Sequence, residues 1–241
     1  MTQLRAIDED WTTALAIVAH PDDLEYGAAA AVARWTRQGK KMSYLLVTRG
    51  EAGIDSVPPA EAGPLRVQEQ IAGAALVGVD KVDFLDYPDG TVTYSLELRK
   101  DIARAVRLLR PEVVITGNFH DYWRPATPNQ ADHIAVGRAV LDGVRDAANR
   151  WVFPDLVHQE DLVPWSARYL LVAASPQSNG YVDVTDSFDA GVASLEAHRV
   201  YLEALGDHPM AKPRPFLEQM ARSVGEAVGV PYAVTFEVIG L

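Results

Sequence analysis

Apolar and polar positions alternate along the chain in a way that divides it into strand-like and helix-like segments. Residues 15–19 close the apolar run Thr13-Ala14-Leu15-Ala16-Ile17-Val18-Ala19, suited to a strand buried on both faces, and an alanine-rich helical stretch follows over 27–37. The succession recurs as strand 42–48 and helix 64–76, strand 81–85 and helix 96–109, then strand 112–116 after Pro111 and helix 132–148. Repeated βα units take right-handed connections and build a parallel sheet flanked by helices. The expected class is therefore α/β, a Rossmann-like and mostly parallel sheet. Beyond residue 150 the pattern is less regular: strands at 168–174 and 181–184, a helix over 188–205, a proline-punctuated linker at 208–215, a helix to about 228 and an alternating strand at 232–239. This part is expected to extend the same domain, so that 1–241 forms one unit with its core in 13–150.

Ligand sites in such sheets lie beyond the carboxyl ends of the strands. Residues 20–23, 48–53, 86–90 and 118–133 all fall there, on one rim. The connections 49–63 and 117–131 are long, rich in Gly or Pro and aperiodic, which marks them as walls of a binding site.

Composition narrows the chemistry. With 241 residues, 48% of them hydrophobic, the chain can bury a full core, and its net charge of −11 disfavours nucleic acid, whose recognition needs basic surface. A small-molecule substrate is expected instead. There is no cysteine, which removes disulfides, thiolate metal sites and a cysteine nucleophile; any metal must be held by His and carboxylates. Residues 1–10 lack a basic segment followed by an apolar run, and no stretch is long enough for a membrane span, so a cytoplasmic protein is expected. No dinucleotide or phosphate-loop glycine motif follows the first strand. Arg99, Lys100, Arg104, Arg107 and Arg110 share a helix with Ile102, Val106 and Leu109 and read as its solvated exterior. The acidic surface and an exposed C-terminal strand permit a homo-oligomer without specifying one.

The string Ala19-His20-Pro21-Asp22-Asp23-Leu24-Glu25 sits where the first strand turns into a helix. His20 and Asp23, three apart around a turn, can aim at one metal, and Asp22 between them can serve as a general base. A third ligand is expected from His133, at the start of the helix after loop 117–131, with Asp132 as a cap or as support for an imidazole. The same residues would also make two ordinary helix starts, with Pro21 in the first turn and Asp as cap. His120 and Trp123 lie in the same loop and are candidates for lining the site, whereas His158 and His208 read as surface residues.

Taken in order, this string, Val47-Thr48-Arg49-Gly50-Glu51-Ala52-Gly53, Arg66 with Glu69, Tyr87-Pro88-Asp89-Gly90 and Asp132-His133 resemble the PIG-L/LmbE-like deacetylases. The likeness covers about residues 13–150, with a weaker late element around Ser194-Leu195-Glu196-Ala197-His198. It implies a zinc-dependent hydrolase, with Fe2+ as another divalent metal such a site accepts, that removes acetyl from an N-acetylglucosaminyl group. It further implies His20, Asp23 and His133 as ligands, Asp22 as the base activating the metal-bound water, and Glu51, Arg66 and Asp89 as residues facing the substrate. Without the resemblance, Glu51 and Asp89 could simply shape glycine turns, and Arg66 could pair with Glu69 on a helix surface.

One position departs from the family pattern. Gln130 stands where many members carry a histidine that stabilises the oxyanion or protonates the leaving amine. An amide can donate to an oxyanion but cannot deliver a proton near neutral pH. Asp22, or His120 as a substitute acid, is then expected to protonate the amine. The alternatives are an amidase cleaving a larger amide, such as a mycothiol-type conjugate, and a metal-stabilised binding protein with little turnover.

Overall fold

The computed structural model describes residues 4–241, so the first three residues of the amino-terminal segment read above lie outside the described part. A short strand β1 (Arg5–Ala6) precedes β2 (Thr13–Val18), helices α1 (Asp23–Gly27) and α2 (Ala29–Arg37), β3 (Lys41–Leu46), α3 (Pro59–Leu76), β4 (Lys81–Phe84), α4 (Leu96–Leu109) and β5 (Val113–Gly117). A small hairpin, β6 (Tyr122–Arg124) and β7 (Thr127–Pro128), leads to α5 (Ala131–Ala148) and the single turn α6 (Asp155–His158). Then come β8 (Tyr169–Ala173), β9 (Gly180–Asp183), α7 (Phe188–Glu196), α8 (Arg199–Ala204), α9 (Pro213–Val228) and β10 (Ala233–Gly240).

Eight strands form one mixed sheet in the order β1-β9-β10-β8-β5-β2-β3-β4. Strands β4, β3, β2, β5 and β8 run parallel, and β10 is antiparallel to both of its neighbours. Along β2, Ala14, Ala16 and Val18 pack into the core on one face with α2, while Leu15 and Ile17 pack on the other face with α4 and α5. Burial on both faces explains the unbroken apolar run. The chain leaves β2 for β3 on one side and later returns to β5 on the other, so the carboxyl end of β2 is a topological switch point, the place where sheets of this kind put their ligands.

Several sequence expectations change. Strand 232–239 is not an exposed strand available for pairing: β10 lies between β8 and β9, with Phe236 opposite Ala173 and Gly180, and is hydrogen-bonded on both sides. Arg107 is not solvated but fully buried, donating to the carbonyls of Ala147, Asn149 and Val152 and so tying down the chain after α5. Helix α3 begins at Pro59, where a missing N–H costs nothing in the first turn, and Pro64 lies inside it. The expected helix 27–37 is broken at Ala28, where the backbone leaves helical geometry with φ −135°, and the helix 188–205 at Ala197-His198, where the buried His198 faces Glu25.

A candidate metal and base site

The carboxyl end of β2 and the amino end of α5 bring His20, Asp23 and His133 together. Asp23 Oδ2 accepts from the Ala19 and His20 backbone N–H groups at 3.0 and 2.9 Å, which leaves Oδ1 to face His133 Nε2 at 3.0 Å. His20 Nδ1 lies 3.2 Å from the same His133 nitrogen.

The far side of each ring is held by an oxygen. His133 Nδ1 donates to Asn129 Oδ1 at 3.0 Å, and the Asn129 amide is fixed in that sense because its nitrogen donates to the Asn118 and His120 carbonyls. His20 Nε2 faces Asp89 Oδ1 at 3.0 Å and Asp132 Oδ2 at 3.3 Å. With both outer nitrogens protonated, the inner ones present lone pairs to each other and to a carboxylate oxygen. Three electron-rich atoms in such contact need a positive charge among them. The donor set therefore fits a divalent cation held by His20, Asp23 and His133. The charges agree with this. Burial opposes a charged His20, but Asp23, Asp132 and Asp89 outweigh it and its pKa is pushed up to about 12. Burial likewise opposes the Asp23 carboxylate, yet His133 and His20 hold its pKa far below the ordinary range. The field that retains a proton here would retain a cation.

Asp22 is held by a partner on helix α3. Its backbone is left-handed, with φ 82°, a conformation that costs an aspartate roughly 1–3 kcal/mol. Arg66 Nη2 donates to Asp22 Oδ2 at 2.7 Å, and both side chains are buried. Burial pushes the Asp22 pKa up to about 6, against the pull of the Arg66 guanidinium.

Gly50 explains the glycines of the 47–53 loop. It has φ 64°, and a Cβ there would lie 2.4 Å from Arg66 Nη1, so the guanidinium occupies space that only glycine leaves open. The Tyr201 ring covers Arg66 from the other side, 4.3 Å from the guanidinium carbon.

The three residues expected to face the substrate have partners within the protein. Arg66 is a buried partner of Asp22 rather than an open guanidinium, and Glu69, far from pairing with it, accepts from Val200 N–H at 2.6 Å. Glu51 accepts from the backbone of Arg49 and Asp89, and Asp89 accepts from Ala52 N–H while facing His20. Their carboxylates stitch the 49–53 and 86–90 loops together, because backbone donors in two adjacent loops reach them before solvent does. Asp132 does not cap α5, whose N-cap is Gln130: it accepts from Gly90 and Val92 N–H and faces His20.

His120 does not turn its ring toward the three donors. Its Nε2 meets Glu237 Oε2 at 2.8 Å, and Gln177 lies at its Nδ1. Gln130 is exposed at the N-cap of α5. Trp123, on β6, sets its ring edge-on to His133 with centroids 5.7 Å apart.

Asn129, Gln70 and Tyr201 carry no motif in the sequence. Only their neighbours reveal them, although an Asn four residues before His133 is a spacing that could have been tested.

Residues 15–144 match the family described as PIG-L, GlcNAc-PI de-N-acetylase. The chain is 28% identical over 225 residues to a diacetylchitobiose deacetylase of Thermococcus kodakarensis, covering 91% of this chain and 80% of that one. It is 30% identical over 170 residues to a 1D-myo-inositol 2-acetamido-2-deoxy-alpha-D-glucopyranoside deacetylase of Geodermatophilus obscurus, covering 59% and 56%. In structure it resembles the N,N'-diacetylchitobiose deacetylase of Pyrococcus horikoshii, with a TM-score of 0.84 at 28% identity over 96% of this chain and 85% of that one.

Proposed function

Because the chain belongs to the PIG-L family, whose members include GlcNAc-PI de-N-acetylase, we propose that it is a metal-dependent N-deacetylase of GlcNAc-type amino sugars in which Asp22 is the base. The observation that carries this reading is the convergence of His20, Asp23 and His133 on one point, beside a buried carboxylate with a raised pKa. His20, Asp23 and His133 would hold the cation. The imidazole and carboxylate donors suit zinc, which we assign here. A bound divalent cation supplies Lewis acidity, drawing charge from a carbonyl oxygen and acidifying water.

This chain's own groups do the rest. Asp22 takes a proton from the attacking water as the new C–O bond forms at the acetamide carbon. Burial favours the protonated form of Asp22, which suits a group that must first accept that proton and then hold it for release. Arg66 holds the carboxylate in place throughout. When the C–N bond breaks, Asp22 returns the proton to the departing amine, giving acetate and the free amino sugar. Gln130, exposed at the head of α5, is the group we assign to donate to the developing oxyanion, a role an amide can fill.

The test is acetate release from N-acetylglucosamine, diacetylchitobiose and an N-acetylglucosaminyl inositol, alongside metal analysis. Asp22→Asn should keep the wild-type zinc content yet lose about 10²–10⁴-fold in kcat. Protein that takes up no zinc, or an Asp22→Asn variant with undiminished kcat, would falsify the assignment.

A further inference from the structure

Helix α3 grips a single peptide unit of the turn that carries Asp22. Arg66 and Gln70 stand four apart and so share one face of the helix. Arg66 Nη2 donates to the Pro21 carbonyl at 2.7 Å, and Gln70 Oε1 accepts from the Asp22 N–H at 2.9 Å. These are the two ends of one peptide plane, the one that leads into the left-handed Asp22. Since the Asp22 N–H is a donor, only the oxygen of the Gln70 amide can face it. The amide nitrogen of Gln70 then points to Glu25 Oε1, to which it donates at 2.9 Å. Ser194 Oγ lies 3.3 Å from that same oxygen, and His198 Nε2 lies 3.8 Å from Glu25 Oε2. Gln70, Glu25, Ser194 and His198 are all buried, so no solvent stands by to replace a lost contact.

We propose that Gln70 is a positioning residue for the base: through the Asp22 N–H it holds the left-handed turn that aims the Asp22 carboxylate, and Glu25 sets the orientation of the Gln70 amide. The proposal rests on the reading of Asp22 as the base. Gln70 touches none of the three cation donors, and Asp23 is anchored separately by the Ala19 and His20 N–H groups. Its loss should therefore reach kcat and spare both KM and metal uptake.

Gln70→Leu keeps the bulk and removes both polar atoms. Its kcat should fall about 10²-fold, the scale of a small misplacement of a reacting group, with KM and zinc content near wild type. Reciprocal replacement separates positioning from packing. In Gln70→Glu a second carboxylate confronts Glu25 and kcat should fall steeply. Adding Glu25→Gln restores a donor facing an acceptor while an oxygen still meets the Asp22 N–H, and most of the kcat should return.

Wild-type kcat in Gln70→Leu would overturn the proposal, as would a Gln70→Glu defect that Glu25→Gln leaves unchanged. Should Gln70→Leu fail to fold in a thermal melt, the reciprocal pair decides. Asp22→Asn run in parallel separates the two ideas: if it is inactive while Gln70→Leu is fully active, the clamp alone fails; if it is fully active, the base reading itself fails.

Discussion

Asn129 shows how one neutral side chain can control a charged site. Its oxygen accepts from His133 Nδ1 while its nitrogen is committed to two carbonyls, so it can receive a proton from the ring but not offer one. This fixes the tautomer that leaves Nε2 free. Asn129→Ala should lower zinc affinity about 10–100-fold, read by competition with a chelating dye, with little change in the far-ultraviolet spectrum. Unaltered affinity would mean that Asp23 alone orients the ring. Sequence made the meeting of His20, Asp23 and His133 legible, because each stands at a strand end or helix start where the fold class puts ligands. It did not make Asn129, Gln70 or Tyr201 legible, since their importance lies in the atom each faces across the fold. Arg66, Glu51 and Asp89 were visible as unusual residues, but their protein partners were not: these are backbone and side-chain groups that come near only after the loops fold.

At the scale of elements, the strand and helix succession was legible because nearly every element has one apolar face or two. The breaks at Ala28 and His198 were not, because no proline or side-chain cap marks either position. The segment before β2 illustrates another contact without a local signal. Glu9 accepts from Arg34, Trp35 and Gln38, which together form the last turn of α2 and its cap. Burial opposes its charge, but the donors of Arg34, Gln38 and Trp35 prevail and hold its pKa below the usual glutamate value of 4.5. A carboxyl lowered in this way adds stability above its unfolded pKa and loses it as pH falls through the folded one. Glu9→Gln should therefore lower Tm by about 2–4 °C at neutral pH, on the order of 1 kcal/mol. The gap should narrow as the pH falls through the lowered pKa of the folded protein, where Glu9 takes up its proton and both proteins carry a neutral side chain. A gap of constant size across that range would assign the effect to shape rather than charge.

The whole molecule joins its two halves at the site and in the sheet, a dependence that the irregular pattern after residue 150 concealed. Strand β8 pairs with β5 in the middle of the sheet, and β10 carries the sheet on to β9 and β1. From the same half, α7 brings Ser194 against Glu25 and Gly73, and α8 lays Tyr201 over Arg66. A fragment ending at residue 150 would keep His20, Asp22, Asp23 and His133 but leave β5 as a bare apolar edge. It would also uncover the surfaces against which Leu170, Leu171, Val172, Val192, Leu195 and Phe236 are buried. At about 1.5–3 kcal/mol for each large apolar side chain, that loss approaches or exceeds the about 5–15 kcal/mol that holds a typical domain together. Residues 1–150 alone should therefore show no cooperative thermal transition and release no acetate, whereas the full chain should melt in one step. A fragment with a sharp melt and wild-type zinc affinity would make the distal half a separate domain. The buried contacts of Glu25 and Arg66 would then be an accessory to the site instead of its foundation.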